Sequence, residues 1–197
     1  MNSISNLKTV SLEQLKGNWY NAVIASLVFF AINSFVGVLG GYSNLFNVVS
    51  LAIAGPLYFG LVKYFLKTKR KETVILESLF DGFKVYVPAL LLSLLMTIFT
   101  FLWTLLLIVP GIIASLSYSQ AFFILIDNPE ISAMDALKKS KEMMNGHKWN
   151  YLGLVFSFIG WAILALLTCG IGFLWLTPYF HTTLSNFYDE LKTEKTA

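Results

Sequence analysis

The chain has 197 residues, 56% of them hydrophobic and 13% charged, with a mean hydropathy of +0.68. A soluble domain carries about 25% charged residues, so there is too little charge here to cover a water-facing surface, and a one-domain polytopic membrane protein is the class implied. The net charge of +3 is not gathered on a soluble, aromatic-interleaved domain, which leaves nucleic-acid binding without support; the single cysteine, Cys169, excludes an intrachain disulfide and a multi-cysteine metal site.

The N-terminal segment carries Lys8 and Lys16, and its apolar run starts at Trp19. That run is longer than the core of a signal peptide and has no small-x-small cleavage site, so it is expected to be a retained helix. Three blocks then lack Asp, Glu, Lys and Arg altogether: 17–62, 85–126 and 149–188. A crossing needs ~20 apolar residues, so each block is long enough for two. Each also has a helix breaker near its centre: Gly40–Gly41, Pro110–Gly111, and Gly170 with Gly172. The pattern predicts six helices, at about 19–39, 45–66, 86–108, 111–127, 149–168 and 172–189. They pair as hairpins over 19–66, 86–127 and 149–189. The fold class expected is all-α: one integral membrane domain over 1–197, a polytopic bundle of six transmembrane helices.

Every charged residue falls in the N-terminal segment, the 63–84 and 127–148 connectors, or the C-terminal tail. Six crossings put these four regions on one face, and the positive-inside rule makes that face cytoplasmic. The expectation is a multi-pass protein of the bacterial cytoplasmic membrane with both termini inside. Trp19 and Trp149 sit at cytoplasmic helix starts, where indoles favour the interface. Trp103, Trp161 and Trp175 fall in outer halves.

The connectors carry amphipathic patterns. Asn128-Pro129-Glu130 reads as a helix start with Asn128 as cap. Ile131, Met134, Leu137 and Met144 then recur on one side, with Lys138, Lys139 and Lys141 between them. An interfacial helix over about 129–146 fits. Thr73 is the expected cap of a shorter one over about 74–82, with Ile75, Leu76, Leu79 and Phe80 on its apolar side. A third is expected over about 7–16. Gly17, Gly82 and Gly146 each precede a hairpin, which suggests a threefold pseudo-repeat with a left-handed glycine at each bend.

Chemistry is sparse. No Asp, Glu, Lys or Arg lies in a helix interior, the only histidines are His147 and His181, and no hydrolase, nucleotide-binding or metalloprotease motif is present. No enzyme, cofactor or metal site is therefore expected. The best candidate surface is the last helix, where Thr177, His181 and Ser185 share a face at i, i+4, i+8, with Thr182 and Asn186 beside it. His181 lies eight residues from Asp189, roughly 12 Å deep. This face is either a polar lining for a small solute or ion, or a set of interhelical hydrogen bonds worth ~0.6–2 kcal/mol each.

On the fourth helix Ser115-x-x-x-Ser119 is a small-residue face, with Ser117 and Gln120 nearby; Gly153-x-x-x-Ser157, extended by Gly160, is its counterpart on the fifth. Gln120 is placed to bond across to His181. Asn33 and Asn47 read as interhelical contacts. Pro56, Pro88 and Pro178 either kink their helices or mark broken helices of the kind that build transporter sites. Cys169 is expected to pack at an outer tip. Lys67, Lys69, Arg70 and Lys71, together with Lys138, Lys139 and Lys141, are candidate contacts for anionic lipid headgroups, at ~1 kcal/mol per basic residue. The basic cluster also sets topology.

Several segments in order carry a resemblance: 15–19 (LKGNW), 78–83 (SLFDGF), 108–112 (IVPGI), 127–130 (DNPE), 140–149 (SKEMMNGHKW), and 170–175 (GIGFLW) with Pro178-Tyr179. Together they resemble the DUF975 family across nearly the whole chain, with a first segment less basic than the family's. The resemblance implies an integral membrane protein, mostly of Gram-positive bacteria, with no assigned activity and no functional residues to carry over. It also looks distantly similar to the membrane domain that precedes some bacterial glycerophosphodiester phosphodiesterases, without their catalytic barrel. The function expected is a non-enzymatic membrane interaction or accessory module. Its partners would be the bilayer, anionic headgroups, and a membrane protein or a second copy. The alternative is a small-solute permease or transporter component whose path is lined by helix 6. A lipid-modifying membrane enzyme has the least support.

Overall fold

Every element among the residues described by the computed structural model, 3–40 and 44–196 with the side chains of 39, 40, 44–48 and 196 excepted, is helical. In order these are α1 (Ile4–Leu15), α2 (Trp19–Gly40), α3 (Asn44–Lys69), a 3₁₀ turn (Leu76–Phe80) running into α4 (Asp81–Lys84), α5 (Tyr86–Leu106), α6 (Ile108–Tyr118), α7 (Ala121–Asp127), α8 (Ala133–Met143), α9 (Lys148–Phe156), α10 (Ile159–Leu167) and α11 (Phe173–Thr196). The expected breaker at Gly40–Gly41 and the contact at Asn47 fall outside the described backbone or side chains.

Five stretches among the described residues are long and apolar enough to cross a membrane: Trp19–Val38, Val49–Lys69, Tyr86–Leu106, Ile108–Asp127 and Lys148–Leu167. The fourth is α6 plus α7 and the fifth is α9 plus α10. The sixth expected helix, 172–189, is α11, and it does not join them. Pro178, His181, Asn186 and the charges after Tyr188 dilute its apolar character. Its middle is instead enclosed by protein: everything from Pro178 to Tyr188 except Phe180 is buried, packed on α1, α2, α3 and α10. A helix rich in polar groups is better solvated by other helices than by lipid tails.

The core lies towards the charged ends of the helices. It draws on Leu61–Leu66 of α3 with Lys63 excepted, Ala121–Leu125 of α7, Leu7 and Leu15 of α1, and Leu184, Phe187, Tyr188 and Leu191 of α11. Towards the uncharged tips the side chains turn outward. Phe35, Phe101, Leu105, Ile108 and Leu167 are all exposed, as suits surfaces that hydrocarbon covers.

The expected bend at Pro110–Gly111 moves. α5 ends at Leu106, the extended Leu107 makes the connection, and Pro110 and Gly111 lie inside the first turn of α6. The first turn of a helix has no intrahelical partner for its N–H groups, so proline costs nothing there. Pro88 is accommodated the same way in α5, whereas Pro56 and Pro178 sit inside α3 and α11. Asn128 is not the cap of α8. Ser132 is, accepting from the Asp135 N–H at 3.1 Å and donating to its carboxylate at 2.6 Å. Asn128-Pro129 forms the turn after α7. Thr73 caps nothing: the residue before the 3₁₀ turn is Ile75, without a side-chain bond.

Two of the three pre-hairpin glycines are left-handed, Gly17 at φ +82° and Gly146 at +86°. Gly82 serves otherwise. A Cβ there would stand 1.9 Å from the Pro56 carbonyl oxygen, and one at Gly60 would stand 1.7 Å from that of Leu79. α3 and the 3₁₀–α4 segment thus touch backbone to backbone. Gly60→Ala and Gly82→Ala are each expected to destabilise the protein by roughly 1–3 kcal/mol through overpacking, read as a lowered thermal midpoint in detergent. Gly160→Ala, whose Cβ meets nothing within 4 Å, should melt as the parent does.

Candidate functional site

The polar face of α11 is largely spent on the protein itself. Ser185 donates to the His181 carbonyl at 2.9 Å, and Thr183 to that of Tyr179 at 2.8 Å. The Asn186 amide donates to Ser11 at 2.9 Å and to Gln14 at 2.7 Å, and the Gln14 amide donates back at 3.1 Å, tying α1 to α11. Thr177 is half-buried. His181 lies in an aromatic box, stacked on Phe65 at 5.7 Å between centroids with Tyr58 and Phe180 edge-on.

Its Nδ1 is buried without a hydrogen-bond partner, as are Gln120 Oε1 and Thr182 Oγ1. The expected Gln120–His181 bond is not formed, because the Gln120 amide turns to Ser119 Oγ at 3.0 Å. The Tyr151 phenol also reaches Ser119 and lies near that of Tyr58. Ser115 faces outward, its hydroxyl on the Ile112 carbonyl. The packed small-residue face of α6 is instead Gly111, Ala114 and Ser117. Gly153 meets Ile4 of α1, while Gly160 is open.

Two candidate spans are broken, and each break is filled from elsewhere. Between α6 and α7 the Gln120 N–H has no helical acceptor and donates to Ser140 Oγ at 3.1 Å; that hydroxyl donates in turn to the Ser117 carbonyl at 2.8 Å. Ser140 is fully buried on α8. Between α9 and α10 the Ser157 carbonyl accepts the Lys8 ammonium at 3.0 Å, which lies 4.5 Å from the Phe158 ring centroid. Burial pushes the Lys8 pKa down. Neither residue was singled out by sequence reasoning. Ser140 had a signal, standing at helical spacing between Leu137 and Met144 on the apolar side of α8. Lys8 had none, since a lysine in an N-terminal segment reads as solvated.

At the charged end Arg70 grips two helices. Its guanidinium bonds Asp127 through two contacts, 2.7 and 3.0 Å, and Asp189 at 2.8 Å. Lys69 pairs with Asp189, Lys192 bonds Asp127 at 2.6 Å, and the Tyr188 phenol donates to Asp127 at 3.1 Å. The hydrogen bonds to Asp127 hold the Arg70 pKa above its usual value, against burial. Nearby, Asp81 bridges Lys63 at 2.9 Å and Lys84 at 2.7 Å. Burial works against its charge, but the Lys84 and Lys63 hydrogen bonds prevail and its pKa is lowered.

Of the basic residues expected at lipid, Lys69 and Arg70 are thus held by carboxylates. Lys138 faces Asp135 across 3.5 Å at the surface. Lys67 is half-buried, and Lys71, Lys139 and Lys141 are exposed. Among the described residues no group of three His, Cys, Asp or Glu is placed to hold a metal.

The family model described as "Protein of unknown function (DUF975)" matches residues 1–114 and 104–195. The chain belongs to the DUF975 family. No curated protein and no solved structure matches it. In this DUF975 protein the segments 15–19 and 78–83 bracket the charged end of α3, while 108–112 and 170–175 lie at the uncharged tips. The segment 140–149 opens with the Ser140 that fills the fourth span's break.

Ser140→Ala would leave the Gln120 N–H and the Ser117 carbonyl buried and unpaired. At about 1–3 kcal/mol for an unsatisfied buried group, a loss of that order in unfolding free energy is expected from denaturant titration in detergent. Ser140→Thr, which keeps the hydroxyl, should recover part of it.

Proposed function

We propose that this DUF975 protein is a non-enzymatic module of the bacterial cytoplasmic membrane. It crosses six times with both termini inside and engages a partner protein or lipid through its charged end. The observation that carries this reading is the use made of the polar face of α11. Ser185, Thr183 and Asn186 bond their own helix or α1, which is the behaviour of packing groups rather than of a solute path. Outside that packed end, Lys139 and Lys141 of α8 are exposed, on the side a partner or anionic headgroup would meet. A second reading, a small-solute permease, draws on three of the four buried unpartnered atoms among the described residues, those at Gln120, His181 and Thr182, the fourth being His147 Nδ1. A buried polar atom without a partner is uncommon and invites water or a polar ligand.

The orientation is testable at two tips. Cys169 is exposed at the last one, and Leu107, also exposed, can be replaced by cysteine in a Cys169→Ser background. Both sites should react with a membrane-impermeant thiol reagent added outside intact cells. Labelling only after the inner face is opened would defeat the six-crossing arrangement.

The two functional readings separate by variant. For the interaction module, Lys138/Lys139/Lys141→Gln should weaken binding to vesicles containing anionic lipid severalfold, and His181→Ala should leave it unchanged. For the permease, His181→Ala should abolish solute flux into proteoliposomes, and the lysine variant should not.

A further inference from the structure

At the charged end a cleft of about 510 Å³ opens between the last turn of α1, the start of α2, the end of α3 and the chain that follows it. Its wall carries Glu13, Lys16, Lys71 and Glu72, with Tyr64 and Asn21 between them. Three observations mark it out. Lys63, Lys69, Arg70, Lys84 and Lys192 at this end have carboxylate partners; the four charged residues on the cleft wall are exposed and, like Lys67, Lys141 and Lys148 elsewhere, make no ion pair among the described residues, but here two of each sign share one cleft. Tyr64 is 2% exposed, yet it lines the cleft and its hydroxyl has no partner among the described residues.

Lys71 is the third. It ends α3 with φ +57°, the Glu72 N–H bonding the Lys67 carbonyl at 3.0 Å and the Lys71 N–H that of Thr68 at 3.1 Å. This is a helix-ending motif whose left-handed position is usually glycine. A long side chain there is strained, and such strain collects at ligand sites.

Two unpaired cations and two unpaired anions around one cleft suit a ligand that carries both signs close together. Asn21 and the start of α2 put the cleft where the first candidate span begins, which is the level of lipid headgroups. We propose that the cleft binds the phosphate–ammonium zwitterion of an ethanolamine phospholipid. Lys16, Lys71 and the Tyr64 hydroxyl hold the phosphate, for which charge-assisted donors are the strong partners, and Glu13 and Glu72 hold the ammonium. The assignment goes beyond anionic-lipid attraction, since a purely anionic headgroup would meet the two glutamates. It rests on the reading above only in taking a lipid as the source; free phosphoethanolamine shares the chemistry.

The test is calorimetric titration of the full chain, purified in an uncharged detergent, with short-chain phosphatidylethanolamine, short-chain phosphatidylglycerol of the same acyl length, and free phosphoethanolamine. The ethanolamine lipid is expected to bind at least tenfold tighter than the glycerol lipid and than the free headgroup. Lys71→Gln combined with Lys16→Gln should weaken it about tenfold. Glu13→Gln combined with Glu72→Gln should erase the preference between the two lipids while binding persists. Circular dichroism and the melting midpoint check that both variants remain folded. Equal or tighter binding of phosphatidylglycerol to the parent, or unchanged affinities in both variants, would overturn the site. Free phosphoethanolamine binding as tightly as the lipid would overturn the lipid as its source. The thiol labelling above tests orientation separately, so failure of either result leaves the other standing.

Discussion

A backbone N–H or carbonyl freed inside a bilayer must find its partner within the protein, because hydrocarbon offers none and each unsatisfied group costs several kcal/mol. Two of the candidate spans here are interrupted, and the rest of the structure follows from how the interruptions are closed. Ser140 of α8 bridges the break between α6 and α7, and Lys8 of α1 bonds the carbonyl left open between α9 and α10. The connecting helices α1 and α8 are therefore tied into the bundle. α1 and α8 each put one side chain into a break and bury apolar residues, Leu7 and Leu15 for α1, which lies chiefly on α11, and Ala136 and Leu137 for α8, which lies on α5, α6 and α7.

The same end is tied by charge. Arg70 joins the ends of α3, α7 and α11 through Asp127 and Asp189. A half-buried guanidinium with two carboxylates in good geometry is the arrangement in which an ion pair holds position. The close approach of α3 to the 3₁₀–α4 segment at Gly60 and Gly82 adds a contact with no side chain between the backbones. The uncharged tips carry no ion pair among the described residues, and their close contacts are those of Gly111 with Thr104 and of Gly172 with Ala165. Helices α2, α5 and α10 turn Phe35, Phe101, Leu105 and Leu167 outward there.

How much was legible in the sequence depends on whether the signal was local. The three charge-free blocks and the last bend at Gly170 could both be read from neighbouring residues. Pro110 misled, because a proline stops a helix in mid-course but sits without cost in its first turn, and only the position of Leu107 distinguishes the two. Gly82 misled likewise: it looked like the other bends, but its reason is the Pro56 carbonyl, far away in the chain. His181 was found as the most unusual residue of its helix, and its surroundings were not, since Phe65 and Tyr58 come from α3.

The sequence by itself determined that the chain is helical, with several stretches apolar enough to cross a membrane and its charges gathered in four segments, because transfer to hydrocarbon is a per-residue property that composition and order express directly. Only the tertiary structure decided that α11 is an enclosed polar strut, that Ser140 and Lys8 complete the broken spans, and that Lys69 and Arg70 are paired while Lys16 and Lys71 are not. These are matters of which distant groups meet. A hydrogen bond or an ion pair between residues 20 to 149 positions apart leaves no periodicity for a single sequence to display.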